Sequence, residues 1–279
     1  MLRAVLLVAL LSMLAACSTN NVTEDESLKK YFDSAGVTGS FGLFNNGQGS
    51  FSIYNLSRFK DSAYLPASTF KIVNGLIGIE TGRITDSSTL IKWDGIVRTF
   101  SNGDTLHAWN KDLRFDEAFK VSAVPYFQEL ARRIGKDTMQ SWLDTLGYGA
   151  KFKKPVITNN LDTFWLDNTV KVTADEQLGL VKKLYFDQLP FQKRSQKMIR
   201  TVMLQKENAN YALSYKTGWA TKEDGKDIGW IVGWIEENKH PYFFVLQIEN
   251  SNPAFDMKTG RLAILNNILK QYGFFEGKK

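Results

Sequence analysis

Apolar residues recur with a period of two over residues 38–44 and 50–56, on either side of the turn-forming run Asn45-Asn-Gly-Gln-Gly49, and predict a β-hairpin. The same period returns in residues 211–216, 228–235 and 242–248, joined by short turns at 223–225 and 238–241, so these strands are expected to be antiparallel neighbours. Between the two sets the period becomes helical. Residues 115–146 are expected to be strongly helical, with Pro125 at a natural first helical position and a second helix from Asp137 to Gly147. Thr173-Ala-Asp-Glu176 is a capping box that opens a helix to about residue 187, and 192–204 gives another. Residues 27–35 predict a short first helix, and residues 259–272 a last one that turns Leu262, Leu265, Ile268 and Leu269 toward the sheet. Residues 85–106 are polar and irregular, pinned by Trp93 and Ile96, and 150–166 reads as a loop carrying Phe164-Trp165. The pattern predicts an α+β fold: a mostly antiparallel five-stranded sheet flanked by helices, with a helical subdomain inserted at about 85–205.

One predicted helix differs from the rest in being apolar almost all round. In the window from Tyr64 to Gly82, Pro66 stops any earlier helix, Ser68 can cap the next one, and Phe70, Ile72, Val73, Leu76, Ile77 and Ile79 follow, with Gly82 as the C-terminal stop. Three residues advance a helix by ~300° and ~4.5 Å, which brings the Lys71 side chain one turn above Ser68 on nearly the same face. Burial there disfavours the ammonium, and a neutral amine beside a hydroxyl is a general base beside a nucleophile. Ser-x-x-Lys also occurs at Ser27-Leu-Lys-Lys30 and Ser57-Arg-Phe-Lys60, neither of which runs into an apolar helix. Taken alone, Ser68 and Lys71 read equally well as a helix cap and a snorkelling lysine.

Composition narrows the classes. The 279 residues are 43% hydrophobic, enough for the core of one large domain, and the net charge of +6 is spread without a long basic block, so no nucleic-acid partner is expected. Residues 1–16 have the build of an export signal, with Arg3 ahead of an apolar run too short to span a bilayer. The run ends Leu14-Ala-Ala-Cys17, which resembles a bacterial lipobox and implies lipidation of Cys17, a polar tether over 17–27 and a mature domain over 28–279. Cys17 is the sole cysteine, so thiol catalysis, disulfides and cysteine metal sites are excluded.

Only two histidines, His107 and His240, occur, both in loop-like stretches, and Gly-x-Ser-x-Gly, P-loop and Gly-x-Gly-x-x-Gly patterns are missing. A serine enzyme built from this chain must take its base from a lysine or a carboxylate. Ser122-Ala-Val124, read structurally as a cap, precedes the helix near Pro125, and Lys216-Thr-Gly218 ends a strand. A second Lys258-Thr-Gly260 opens a helix instead.

Ser68-Thr-Phe-Lys71, Ser122-Ala-Val124 and Lys216-Thr-Gly218, in that order, resemble the signature set of the serine penicillin-recognising enzymes. The valine at 124, the Phe in Ser-Thr-Phe-Lys and Phe164-Trp165-Leu166 make the chain similar to the class D β-lactamases. The resemblance covers the whole mature chain, with one departure: the family often has Tyr-Gly-Asn where Tyr148-Gly-Ala150 stands. It implies hydrolysis of β-lactams through an acyl-enzyme on Ser68, with carbon dioxide carried as a carbamate on Lys71 and no metal or other cofactor. Trp165 is implied to donate to the carbamate and Val124 to keep the pocket dry. The Ser68 and Trp219 N–H groups would form an oxyanion hole, and Ser122 would relay a proton. Lys216, Thr217, Gly218, Trp219 and Arg261 are implied to bind substrate, and Trp109, Phe119 and Leu166 to line the pocket. The implied setting is the periplasm, with attachment by a lipid anchor only, and a homodimer stays open. A penicillin-binding D,D-peptidase, a β-lactam sensor domain and an inert envelope lipoprotein are the rival readings.

Overall fold

A computed structural model describes residues 21–99, 103–252 and 254–279, so the export signal and Cys17 lie outside the described residues. In chain order, β1 (Val22–Glu24) leads into α1 (Lys29–Ala35), β2 (Thr38–Asn45) and β3 (Ser50–Tyr54), followed by α2 (Leu56–Asp61) and β4 (Ala63–Tyr64). A 3₁₀ turn at Ala67–Phe70 opens α3 (Lys71–Glu80). The central stretch carries β5 (Leu90–Ile91), β6 (Leu113–Arg114), α4 (Phe115–Lys120), α5 (Val124–Ile134), α6 (Lys136–Leu146), β7 (Val172–Thr173), α7 (Ala174–Tyr185) and α8 (Lys193–Met203). The chain then returns to strands in β8 (Leu204–Glu207), β9 (Ala212–Thr221), β10 (Asp227–Glu237) and β11 (His240–Asn250), and closes with α9 (Met257–Gln271).

The main sheet has the order β1-β3-β2-β11-β10-β9-β8, so the five expected strands are extended to seven. Every pairing is antiparallel except that of β1 with β3. Both added strands lie at edges, where a strand needs a backbone partner but no buried face, and all four residues of β8 are exposed. Hence neither shows the apolar alternation of a central strand. Residues 22–24, expected within a tether, are β1, and Asp25 then caps the turn before α1.

Period-two alternation splits β10 and β11 between two cores. Trp230, Val232, Trp234, Phe243 and Val245 face the core shared with the central helices, whereas Ile231, Ile235, Phe244, Leu246 and Ile248 face α1 and α9. On the first side α3 is buried from Lys71 to Ile79, as its all-round apolar sequence requires. The helical stretch of 115–146 forms α4, α5 and α6, with breaks ahead of Pro125 and at Gly135 as the sequence pattern places them. Trp93 and Ile96 are exposed instead of pinning their loop; the Trp93 indole donates to the Ile96 carbonyl at 3.0 Å, so the two satisfy each other locally.

Candidate active site

Ser68 does not cap a helix. It stands inside the 3₁₀ turn ahead of α3, and the Lys71 backbone N–H returns to the Ser68 and Thr69 carbonyls. Its hydroxyl is thereby free for the Lys71 ammonium nitrogen, which sits 2.6 Å from Ser68 Oγ. Ser68 is half-buried at the mouth of the turn, while Lys71 is fully buried with its Nζ 5.5 Å from the centre of the Phe127 ring. Burial is the cause that brings the Lys71 pKa from its ordinary 10.5 to about 7. The other two Ser-x-x-Lys copies have no such setting: Ser57 and Lys60 are exposed on α2, and Ser27 is engaged by Asp25 at 2.5 Å.

The turn is held from several sides. Ala67, at φ +49°, occupies the left-handed region that a residue with a Cβ adopts at a cost, and its N–H donates to the Trp165 carbonyl at 3.2 Å. The Trp230 indole donates to the Leu65 carbonyl at 3.0 Å. On the third side β9 comes so close that a Cβ on Gly218 would stand 2.9 Å from the Pro66 carbonyl oxygen and 3.1 Å from Thr69 Cγ2. Glycine at 218 is therefore a packing requirement of the Lys-Thr-Gly segment.

A second serine–lysine pair faces the first. Ser122, expected as a cap for the helix near Pro125, caps nothing: Ala123 is the residue before α5, Val124 begins the helix and Ser122 lies at φ +56°. That backbone turns its hydroxyl to Lys216 Nζ, 2.9 Å away, and Lys216 also donates to the Thr217 carbonyl at 3.0 Å. Lys216 is buried, and burial together with the charges of Lys71 and Arg261 pushes its pKa well below the ordinary lysine value. Arg261, on the first turns of α9, is buried as well; its guanidinium donates to the Gly218 carbonyl, and burial lowers its pKa to about 10. Among the described residues none of these three cations takes part in an ion pair. With the Arg261 guanidinium charged and two buried amines able to take up a proton, the site favours an anion.

Of the remaining expected residues, Trp165 is fully buried and stacked on Phe70 at 5.2 Å between ring centres, and its indole N–H has no partner among the described residues. Trp219, next to Gly218 on β9, is 48% exposed and Thr217 half-buried. Val124, Trp109 and Leu166 are half-buried; the Trp109 indole donates to the Val121 carbonyl at 3.1 Å, one residue from Ser122. Phe119 is buried, with Lys216 Nζ 5.7 Å from its ring centre. Sequence reasoning passed over Gln177 and Thr69. Gln177 sits on α7, 108 residues from the turn, yet its amide donates to Thr69 Oγ1 at 2.6 Å, and no local spacing announces such a contact. Among the described residues no group of His, Cys, Asp or Glu is arranged to hold a metal ion.

Together, the seven-stranded sheet with helices on both faces and the two facing serine–lysine pairs define the serine penicillin-recognising class. The penicillin-binding protein transpeptidase domain matches residues 18–271. β-Lactamase OXA-48 of Klebsiella pneumoniae is 36% identical over 89% of this chain and 88% of its own. The class D β-lactamase FUS-1 (OXA-85) of Fusobacterium nucleatum subsp. polymorphum shares 33% identity at a TM-score of 0.81, covering 92% of this chain and all of the other. A class D β-lactamase of Sebaldella termitidis, 28% identical, superposes at 0.83 over 91% of this chain and 98% of its own. The chain belongs to this transpeptidase family and, within it, to the class D β-lactamases.

Proposed function

We propose that the protein hydrolyses β-lactam antibiotics through an acyl-enzyme on Ser68 and so confers resistance to them. The observation that carries this reading is the buried Lys71 amine 2.6 Å from the hydroxyl of a half-buried serine. Its place among the class D β-lactamases supports the substrate class.

The base at residue 71 takes the Ser68 proton as Oγ bonds to the β-lactam carbonyl carbon, and charge passes to the carbonyl oxygen. The N–H groups of Ser68 and Trp219, on the two sides of the Gly218 contact, receive that charge. As the ring C–N bond breaks, the Ser122 hydroxyl passes a proton to the leaving nitrogen and recovers one from Lys216. Lys216, Thr217 and Arg261 hold the substrate carboxylate, whose charge offsets the crowded cations and returns Lys216 toward its protonated form. A water deprotonated at residue 71 then releases Ser68. Val124, Trp109 and Leu166 line the apolar side.

Carbon dioxide bound as a carboxyl group on Lys71 would supply a longer-reaching base at that position. The residues fit such a group: the amine is buried and easily neutral, and the unpartnered indole N–H of Trp165, stacked on the residue before Lys71, is a ready donor. Turnover is expected to fall after carbon dioxide is stripped at low pH and to return with bicarbonate; indifference to bicarbonate removes the carboxyl group from the account and leaves Ser68 in it. Intact mass after brief exposure to penicillin tests the reaction itself. A transient adduct and rapid conversion of a chromogenic cephalosporin are expected, whereas a long-lived adduct identifies a D,D-peptidase or a sensor.

The Leu14-Ala-Ala-Cys17 run supports export to the periplasm and lipid anchoring at Cys17, with residues 1–16 removed. Cys17→Ala is expected to move the protein from the membrane to the soluble fraction of cells. Among the described residues no helix is long and apolar enough to cross a membrane.

A further inference from the structure

We propose that Gln177 is a positioning residue for acylation, acting through Thr69 and the Pro66 carbonyl to set the gap between the Ser68 turn and β9. The inference rests on the acyl-enzyme reading above.

Thr69 is the junction. Its hydroxyl accepts from the Gln177 amide at 2.6 Å and donates to the Pro66 carbonyl at 2.7 Å, so Gln177 fixes the rotamer that holds the turn closed over Ser68. The Pro66 oxygen and the Thr69 methyl are also the atoms against which β9 rests at Gly218. One residue to each side of that seam lie the two N–H groups assigned to the oxyanion: Ser68 precedes Thr69, and Trp219 follows Gly218. Gln177, Thr69 and Gly218 are all buried, so the contact is made without solvent to soften it.

The arrangement is anchored far from the chemistry. Gln177 belongs to the second turn of α7, which is started by the Thr173–Glu176 capping box. The strand before it, β7, pairs with β4 immediately upstream of the turn, Ala63 opposite Thr173 and Tyr64 opposite Val172. Helix α7 packs on β10 and β11 through Leu178, Val181 and their neighbours in the common core. A rigid helix end thus reaches the nucleophile turn at Thr69, the residue that β9 also approaches at Gly218.

Without the Gln177 donor, the Thr69 hydroxyl can rotate, the Pro66 carbonyl keeps only the Thr69 backbone N–H at 3.1 Å and the turn relaxes by a fraction of an ångström. Misplacement on that scale weakens interactions made in the transition state more than those made with bound substrate. The separating measurement is therefore a rate on folded protein. Gln177→Leu and Thr69→Val preserve shape and remove the hydrogen bonds; each is expected to slow acylation by a chromogenic cephalosporin on the order of 10-fold or more, with KM changed less than kcat. Thr69→Ser keeps the hydroxyl and is expected to acylate within about threefold of the parent. The double variant Gln177→Leu/Thr69→Val is expected to be no slower than the worse single variant, because both cut one chain of contacts.

Stopped-flow acylation rates, corrected for the fraction of sites titrated by penicillin, together with melting temperatures give the result. Parental rates in both single variants, or losses that follow the titratable fraction alone, overturn the positioning role. Should Gln177→Leu fail to fold, Thr69→Val against Thr69→Ser makes the same distinction on the other partner. Failure of the unsubstituted protein to be acylated at all would instead overturn the proposed reaction.

Discussion

The two serine–lysine pairs have nearly the same hydrogen bond, 2.6 Å in Ser68–Lys71 and 2.9 Å in Ser122–Lys216, and opposite surroundings. Lys71 is depressed by burial alone. Lys216 is buried too, but it also faces the Arg261 guanidinium, and Lys71 whenever that amine is protonated, and donates to the Thr217 carbonyl. The first lysine is thus arranged to lose its proton in the resting protein, and the second to welcome an incoming anion that lets it keep one. Similar pairs, placed where different charges surround them, divide into a base and an anion holder.

Removing either member of the first pair should have the largest effect. Ser68→Ala is expected to abolish the penicillin adduct seen by mass spectrometry, and Lys71→Ala to lower cephalosporin turnover on the order of 10³-fold or more. In the second pair, Ser122→Ala should reduce kcat by about 10²-fold with a smaller change in KM, since the hydroxyl serves the leaving nitrogen. Arg261→Ala belongs to the anion side: KM for carboxylate-bearing β-lactams is expected to rise by about 10-fold with kcat nearly kept, and a like fall in kcat would move Arg261 into the chemical step.

The smallest expected effect is on stability. The Lys71 pKa is lower in the folded chain, about 7 against an ordinary 10.5, so between these values the unfolded chain binds more protons and stability rises with pH. The penalty for burying the ammonium is full below pH 7 and gone above about 10.5. Lys71→Met should therefore melt higher than the parent in buffers freed of carbon dioxide, with the gap widening as pH falls from 9 to 6. A gap that does not change with pH would place the proton elsewhere.

The same contrast explains what could be read from the chain. Ser68 and Lys71 lie three residues apart at the turn that opens an apolar helix, so local spacing alone put the amine beside the hydroxyl. Ser122 and Lys216 are separated by 94 residues, and only a family resemblance joined them before coordinates did. Central strands were legible because both their faces are buried, whereas β1 and β8 satisfy only backbone partners at an edge and leave no apolar signature. Ser68 and Ser122 both resembled helix caps, and neither is one. In each case a left-handed residue, Ala67 or Ser122 itself, redirects the hydroxyl toward a lysine, and such backbone strain is invisible in a pattern of apolar positions. Gln177 escaped for the reason Ser122 would have, since its partner is distant in sequence.

The central claim is that the Lys71 amine, within reach of Ser68, gives up its proton near neutral pH. An NMR titration of the lysine Nζ signals in carbon dioxide-free buffer, assigned through Lys71→Met, tests it directly. The account predicts a midpoint near 7 for Lys71. An ammonium that persists above pH 9 would contradict it.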